Sequence, residues 1–228
     1  MKYEYIFIDL DDTILDFRKT EYYALGKTLT LYGLEPTEEV RARYSVINRQ
    51  LWDQLGRQEV TRPFVLLERF RKLLEEYHIQ ADPEACARCY EHHIATGQHF
   101  FMPGAKEALE ALSKKYKLYL ATNGTVAMQN GKVDYLQIRH YFKDLFISEL
   151  MGADKPSLRY FAQCFARIPG FDRNKAIMVG DSLNADIQGA KNAGIATCWL
   201  NPNRKPATVF PDYQIEYLSQ LEALLDKA

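Results

Sequence analysis

The sequence predicts an α/β protein: an open parallel sheet flanked by helices, interrupted directly after its first strand by an all-helical insert. Three observations predict it. Short apolar runs recur at 5–8, 118–121, 145–148, 176–179 and 195–200 without polar alternation, the pattern of strands covered on both faces of a parallel sheet. Segments of helical periodicity at 104–115, 126–137, 157–168 and 184–193 separate the later runs, and strand alternating with helix favours parallel layering. Between about 16 and 97 no strand pattern occurs, only helix formers with charged stems interleaved with Leu, Tyr, Phe and Val.

In chain order, the first strand, Tyr5-Ile6-Phe7-Ile8, runs into Asp9-Leu10-Asp11-Asp12-Thr13. Breaks near Gly33-Leu34-Glu35-Pro36, Gly56-Arg57, Arg62-Pro63 and Ala81-Asp82-Pro83 divide the insert into about four helices. Residues 1–15 and 98–228 are thus expected to form the α/β core and 16–97 the insert. The second core strand ends in Ala121-Thr122-Asn123-Gly124-Thr125, where a small polar side chain and a glycine precede a helix and present backbone N–H groups to an anion. The third leads to Gly152-Ala153-Asp154-Lys155-Pro156, and the fourth ends in Gly180-Asp181-Ser182-Leu183-Asn184-Ala185-Asp186.

The chain of 228 residues is large enough for a substantial core, and its 47% hydrophobic and 26% charged content excludes disordered and collagen-like classes. Twenty-nine basic against thirty acidic residues leave a net charge of −1, so a nucleic acid polymer is not an expected partner. Four cysteines without regular spacing do not suggest a disulfide framework. Met1-Lys2-Tyr3-Glu4-Tyr5 does not read as a signal peptide, and no apolar run reaches the roughly 18–20 residues of a membrane span. A cytoplasmic protein without a membrane partner, monomeric or a weak homodimer, is the expectation.

Ligands of open α/β sheets bind outside the carboxyl ends of the strands, where these polar clusters stand. Two carboxylates about 4 Å apart repel by ~4 kcal/mol at an effective dielectric of ~20. A hard divalent cation offsets that, and Mg²⁺ is usually held by one or two carboxylates with substrate phosphate and water. Each cluster alone could cap a helix or make a solvated turn. Four successive strands delivering carboxylates, Thr and Asn, Lys, and carboxylates again to one edge argue for a joint role.

Asp9-x-Asp11-x-Thr13, Thr122-Asn123, Lys155-Pro156 and Gly180-Asp181-x₄-Asp186 resemble, in order, the four signature motifs of the haloacid dehalogenase (HAD) superfamily. The insert resembles the type 1 helical cap of its phosphatase-rich subfamily I. Within it, the sequence is most similar to the noncanonical pyrimidine nucleotidases, although Asp12 stands where relatives often have glycine. The resemblance implies a Rossmann-like HAD core and a Mg²⁺-dependent phosphatase acting on a small phosphate ester, a nucleoside 5′-monophosphate first. It implies that Asp9 is the nucleophile and forms an aspartyl-phosphate, and that Asp11 is general acid then base. It also implies that Thr122, the Asn123 backbone and Lys155 hold the phosphoryl oxygens. Asp9, the Asp11 carbonyl and Asp181 would bind Mg²⁺, with Asp186 a direct ligand or one acting through water.

Other readings compete. A sugar phosphate or an acylneuraminate 9-phosphate is the nearest alternative substrate; a phosphomutase, a dehalogenase or a non-enzymatic binding module follow. A halide leaving group needs no protonation, so Asp11 argues against dehalogenation. Cys86, Cys89 and His93 share a helix face at i, i+3 and i+7, but a zinc site lacks its fourth ligand and a packed helix is expected. Tyr22, Tyr23, Trp52, Phe64, Tyr77 and Tyr90 could stack on a base, with most expected in the core. Arg18 and Lys19 are expected to be solvated hinge residues.

Overall fold

The computed structural model describes residues 2–227. Six strands, β1 (Tyr5–Ile8), β2 (Lys117–Thr122), β3 (Phe142–Ile147), β4 (Ala176–Gly180), β5 (Ala196–Leu200) and β6 (Tyr213–Ile215), form one sheet in the order β3-β2-β1-β4-β5-β6. Every neighbouring pair is parallel. The period-2 geometry of a strand sends alternate side chains to opposite faces. Ile6 and Ile8 therefore join Leu118, Leu120, Ile177 and Val179 on one side. Tyr5 and Phe7 join Tyr119, Phe146 and Met178 on the other.

Helices cover both faces, so all four residues of β1 are buried and an unbroken apolar run is what the position demands. Helix α5 (Ala105–Lys115) turns Ala108, Leu109 and Leu112 onto the first face. After β3 and the short helix α7 (Ser148–Met151), helix α8 (Leu158–Ala166), capped by the Ser157 side chain, turns Tyr160, Phe161, Cys164 and Phe165 onto the second. The strand expected at 145–148 begins earlier, at Phe142, and ends at Ile147. As the sheet's edge strand, it exposes Lys143 and half-exposes Asp144, which masks its start. The opposite edge strand, β6, was not anticipated: three residues are too short a run to read.

The insert consists of four helices, α1 (Phe17–Leu31), α2 (Glu38–Gly56), α3 (Arg62–Glu76) and α4 (Pro83–Thr96). The two breaks expected at Gly56-Arg57 and Arg62-Pro63 are the ends of a single connection. Thr37 and Asp82 start α2 and α4 by accepting hydrogen bonds from Val40 N and from Glu84 N and Ala85 N. These helices bury a cluster of their own. Tyr44, Phe70 and Tyr90 form its centre, with ring centroids 5.3–6.1 Å apart. Cys86 is buried there, while the Cys89 thiol lies 3.7 Å from His93 Nδ1, which also meets Thr28 Oγ1. These residues make the packed helix that the sequence predicts.

The chain enters and leaves the insert at one place. Asp16 N donates to Phe100 O at 2.8 Å and Met102 N to Ile14 O at 2.9 Å. A second contact lies on α6 (Val126–Tyr135), which packs on α4. The approach is close enough to require glycine: a Cβ at Gly131 would stand 2.1 Å from the Ala95 carbonyl oxygen.

Candidate active site

Strand order reverses beside β1, which lies between β2 and β4, and the crevice at such a switch point is where open α/β sheets bind ligands. Asp9 leaves the carboxyl end of β1 with its N–H donating to Val179 O at 3.0 Å, and Asp181 leaves the end of β4 beside it. Asp9 is 7% exposed and Asp186 1%. Carboxylate oxygens of Asp9, Asp181 and Asp186 all lie within 4.8 Å of one another.

Asp186 reaches this cluster through a departure from the expected helix 184–193. Leu183–Gln188 forms a π-helical turn, with Ile187 N donating five residues back to Ser182 O at 3.1 Å, before α9 (Gly189–Asn192) continues. Asp186 Oδ2 accepts from Ser182 N at 3.0 Å, so the carboxylate is drawn inward, as π-turns at functional sites often do. Gly180 makes room: a Cβ there would lie 2.2 Å from Asp186 Oδ2.

Lys155, 2% exposed, is no surface residue. Its three ammonium protons have three acceptors: Asp9 Oδ1 at 2.7 Å, Ala121 O at 2.7 Å and Asp186 Oδ1 at 2.6 Å. Asn123 sets its backbone, donating from Nδ2 to Lys155 O at 3.0 Å and accepting from Lys155 N at 2.9 Å. The Asn123 side chain is thus spent bracing Lys155, whereas the sequence reading assigned this residue only through its backbone.

Asp11 faces a different partner. Lys132 on α6, 2% exposed, donates to both Asp11 oxygens at 2.8 Å. Gln129, one turn earlier, shares the two protons of its Nε2 amide among Asp11 Oδ2 at 3.1 Å, Thr122 Oγ1 at 2.5 Å and Asn123 O at 3.1 Å. Sequence reasoning missed both residues. The signal available was their i, i+3 spacing on the helix that follows Thr122, a pattern shared by many solvated helix faces. Asp12 adopts φ 57°, a left-handed conformation suited to glycine and tolerated by short polar side chains. Its carboxylate compensates by accepting from Phe17 N at 3.1 Å.

Above these groups lies a cavity of about 780 Å³, walled by the strand ends below and by α1, α2, α3 and α4 above. Asp9, Asp11, Thr122, Asn123, Lys155, Asp181 and Asp186 all line it. The structure therefore brings every residue anticipated for the site to one place. Arg18 borders it too, although a purely solvated role was expected, while Lys19 pairs with Asp16. Of the six insert aromatics considered for base stacking, Tyr22, Trp52 and Tyr90 reach the cavity, and so does Phe17.

Residues 3–194 match the family model described as haloacid dehalogenase-like hydrolase. The chain belongs to the haloacid dehalogenase-like hydrolases. The HAD-hydrolase YfnB of Bacillus subtilis is 36% identical over 99% of this chain and 96% of its own length. Its magnesium-bound crystal structure, described as revealing interdomain movement, superposes with a TM-score of 0.94 over 99% of this chain and all of that one. The pyrimidine 5′-nucleotidase PynA of Streptococcus pneumoniae is 34% identical over 100% of this chain and 97% of its own. The pyrimidine 5′-nucleotidase YjjG of Escherichia coli is 31% identical over the full length of both.

Fully ionised, three carboxylates against one ammonium would leave this cluster two negative charges, with Asp9 and Asp186 buried. Burial pushes the Asp9 carboxyl up to about 7, with Asp186 and Asp11 adding to the rise and Lys155 opposing it. Burial, then Asp186 and Asp9, raise Asp181 well above the usual carboxylate range. Burial disfavours the Lys155 charge, but Asp186 and Asp9 outweigh it and hold its pKa above the usual lysine value. A set of hard oxygen donors with this charge fits a divalent cation such as Mg²⁺. Among the described residues it is the one group of three or more His, Cys, Asp or Glu side chains close enough to hold a metal.

Arg62, the first residue of α3, fastens the insert over the site. Its side chain is 12% exposed, and Nη1 donates to Ser148 Oγ at 2.6 Å and Asp154 Oδ1 at 2.5 Å, the residue before Lys155. Charge-assisted bonds of this kind contribute about 1.5–3 kcal/mol. Arg62→Met is expected to open the insert and raise KM about tenfold or more; steady-state kinetics unchanged from wild type would refute a fastening role.

Proposed function

We propose that this hydrolase is a Mg²⁺-dependent phosphatase of small phosphate monoesters, with a pyrimidine nucleoside 5′-monophosphate as its substrate. Residues 16–97 act in this reading as a cap domain over a core made of 1–15 and 98–228. The observation that carries it is the Asp9–Lys155–Asp186 bridge beside Asp181, beneath a cavity with Asp11 at its edge.

Asp9 attacks phosphorus with the oxygen that Lys155 leaves free, forming an aspartyl-phosphate and dividing one hard displacement into two. Lys155 and the Thr122 hydroxyl, which Gln129 orients, bind the phosphoryl oxygens and offset their repulsion from Asp9. Asp11, released from Lys132 and protonated when substrate binds, gives its proton to the leaving oxygen and then takes one back from the attacking water. Lys132 and Gln129 hold Asp11 at the cavity edge until substrate arrives. Asp9, the Asp11 carbonyl and Asp181 would hold Mg²⁺, with Asp186 beside them, and the bound ion would neutralise the cluster and polarise the phosphoryl group. The names of PynA and YjjG support the pyrimidine nucleotide over the sugar phosphate and acylneuraminate 9-phosphate alternatives.

The test is kcat/KM on UMP, dTMP, ribose 5-phosphate and an acylneuraminate 9-phosphate, with Mg²⁺ and after chelation. UMP and dTMP are expected to lead, and chelation to remove activity by about 10³-fold, the scale of a lost electrostatic stabiliser. Pyrimidine nucleotides at the bottom of the ranking would overturn the assignment.

A further inference from the structure

One residue from each insert helix meets at the roof of the cavity: Glu21 of α1, Asn48 of α2, Arg69 of α3 and Tyr90 of α4. Asn48 Nδ2 and Tyr90 OH both donate to Glu21 Oε1 at 3.2 Å. Arg69 Nη1 donates to Asn48 Oδ1 at 3.3 Å, and its guanidinium lies 4.6 Å from the Tyr90 ring centroid. Two groups in this network are left over. Arg69 is 2% exposed, yet its Nη2 is buried with no hydrogen-bond partner, and its other nitrogens donate to Leu66 O and Asn48 Oδ1 rather than to a carboxylate. Every hydrogen bond to Glu21 falls on Oε1, leaving Oε2 free.

A buried guanidinium without an ion pair is expensive, and a network kept only to join four helices would be replaced at little cost by hydrocarbon. An unused donor and an unused acceptor, on two residues that both line a ligand cavity, instead describe a recognition surface. Arg69 and Glu21 together carry no net charge, so this pair suits a neutral group. Leu25, Leu66 and Met128 on the same cavity wall suit a flat apolar ring rather than a polyol. A neutral flat ring whose rim places an N–H next to a carbonyl is a nucleobase amide edge.

We infer that Arg69 and Glu21, held by Asn48 and Tyr90, form a base-reading subsite, with Arg69 Nη2 donating to a base carbonyl and Glu21 Oε2 accepting from the adjacent base N–H. This rests on the nucleotide reading above and adds the groups that recognise the base. A site built to hydrogen-bond its ligand discriminates strongly, because its polar groups stay unpaired with any ligand lacking the edge.

The experiment compares kcat/KM for UMP with that for ribose 5-phosphate, which has the phosphate and sugar but no base, in wild type, Glu21→Gln and Arg69→Met. Both substrates are measured on one preparation, so any loss of folded enzyme cancels from the ratio. The UMP to ribose 5-phosphate ratio is expected to exceed about 10² in wild type and to fall about 10- to 100-fold in each variant. If wild type prefers UMP and both variants keep the full preference, the subsite is wrong and the nucleotidase reading stands. If wild type shows no preference, the nucleotide reading fails and the subsite with it. Should Arg69→Met give no active protein, the Glu21→Gln ratio decides alone.

Discussion

Asp9→Asn is expected to lower kcat by at least about 10⁴-fold, the scale on which removing a covalent nucleophile acts. The substitution preserves volume and leaves Lys155 with Asp186 and the Ala121 carbonyl as acceptors, so the fold and the cavity should persist. What disappears is the negatively charged oxygen that, in the proposed mechanism, attacks phosphorus. Phosphate release measures the rate, and rapid quenching with labelled substrate measures the covalent phosphoenzyme, which should be absent in the variant. Activity within tenfold of wild type would mean that Asp9 is not the nucleophile, and the whole mechanism would have to be rebuilt.

Lys155→Met is expected to cost about 10³-fold in kcat/KM and to destabilise the protein as well. It removes the one ammonium in contact with Asp9 and Asp186. Breaking a buried ion pair by deleting one partner typically costs about 3–5 kcal/mol, or roughly 6–20 °C in Tm for a chain of this size. A carboxyl whose folded pKa is raised, as that of Asp9 already is to about 7, stabilises the fold only while protonated. The cation-free protein should therefore lose stability as pH rises from about 4 through 7. Lys155→Met should show this more steeply, and Mg²⁺ should raise Tm more at pH 8 than at pH 5. Equal Mg²⁺ effects at the two pH values, in wild type and variant alike, would mean that the cation is not bound by these carboxylates.

The residues that the sequence made legible are those whose position is set by the backbone. Asp9, Thr122 and Asp181 stand at or just past strand ends, and parallel strands deliver their carboxyl ends to one edge. The residues that stayed hidden are placed by packing. Lys132 and Gln129 read as ordinary polar positions of a helix until α6 is laid against Asp11. Arg69 and Glu21 look like solvated charges on amphipathic helices, and only the closing of four helices on one another buries the guanidinium. The π-turn was illegible for a related reason: Asp186 widens its helix to reach Lys155, a partner distant in sequence.

The meeting of the insert's two ends at Asp16 and Phe100 has a consequence for how such a protein can change. A segment that leaves and rejoins its host at adjacent residues imposes little loop-closure cost on it, and the aspartates and Lys155 all lie outside the segment. On the proposed function, the fold would therefore separate into a chassis that carries the reaction and an exchangeable cassette that chooses what reacts. A different four-helix unit spliced between those residues would have to meet the same core contacts: a backbone carbonyl that tolerates Gly131, an apolar surface for Met128 and a donor for Ser148 and Asp154.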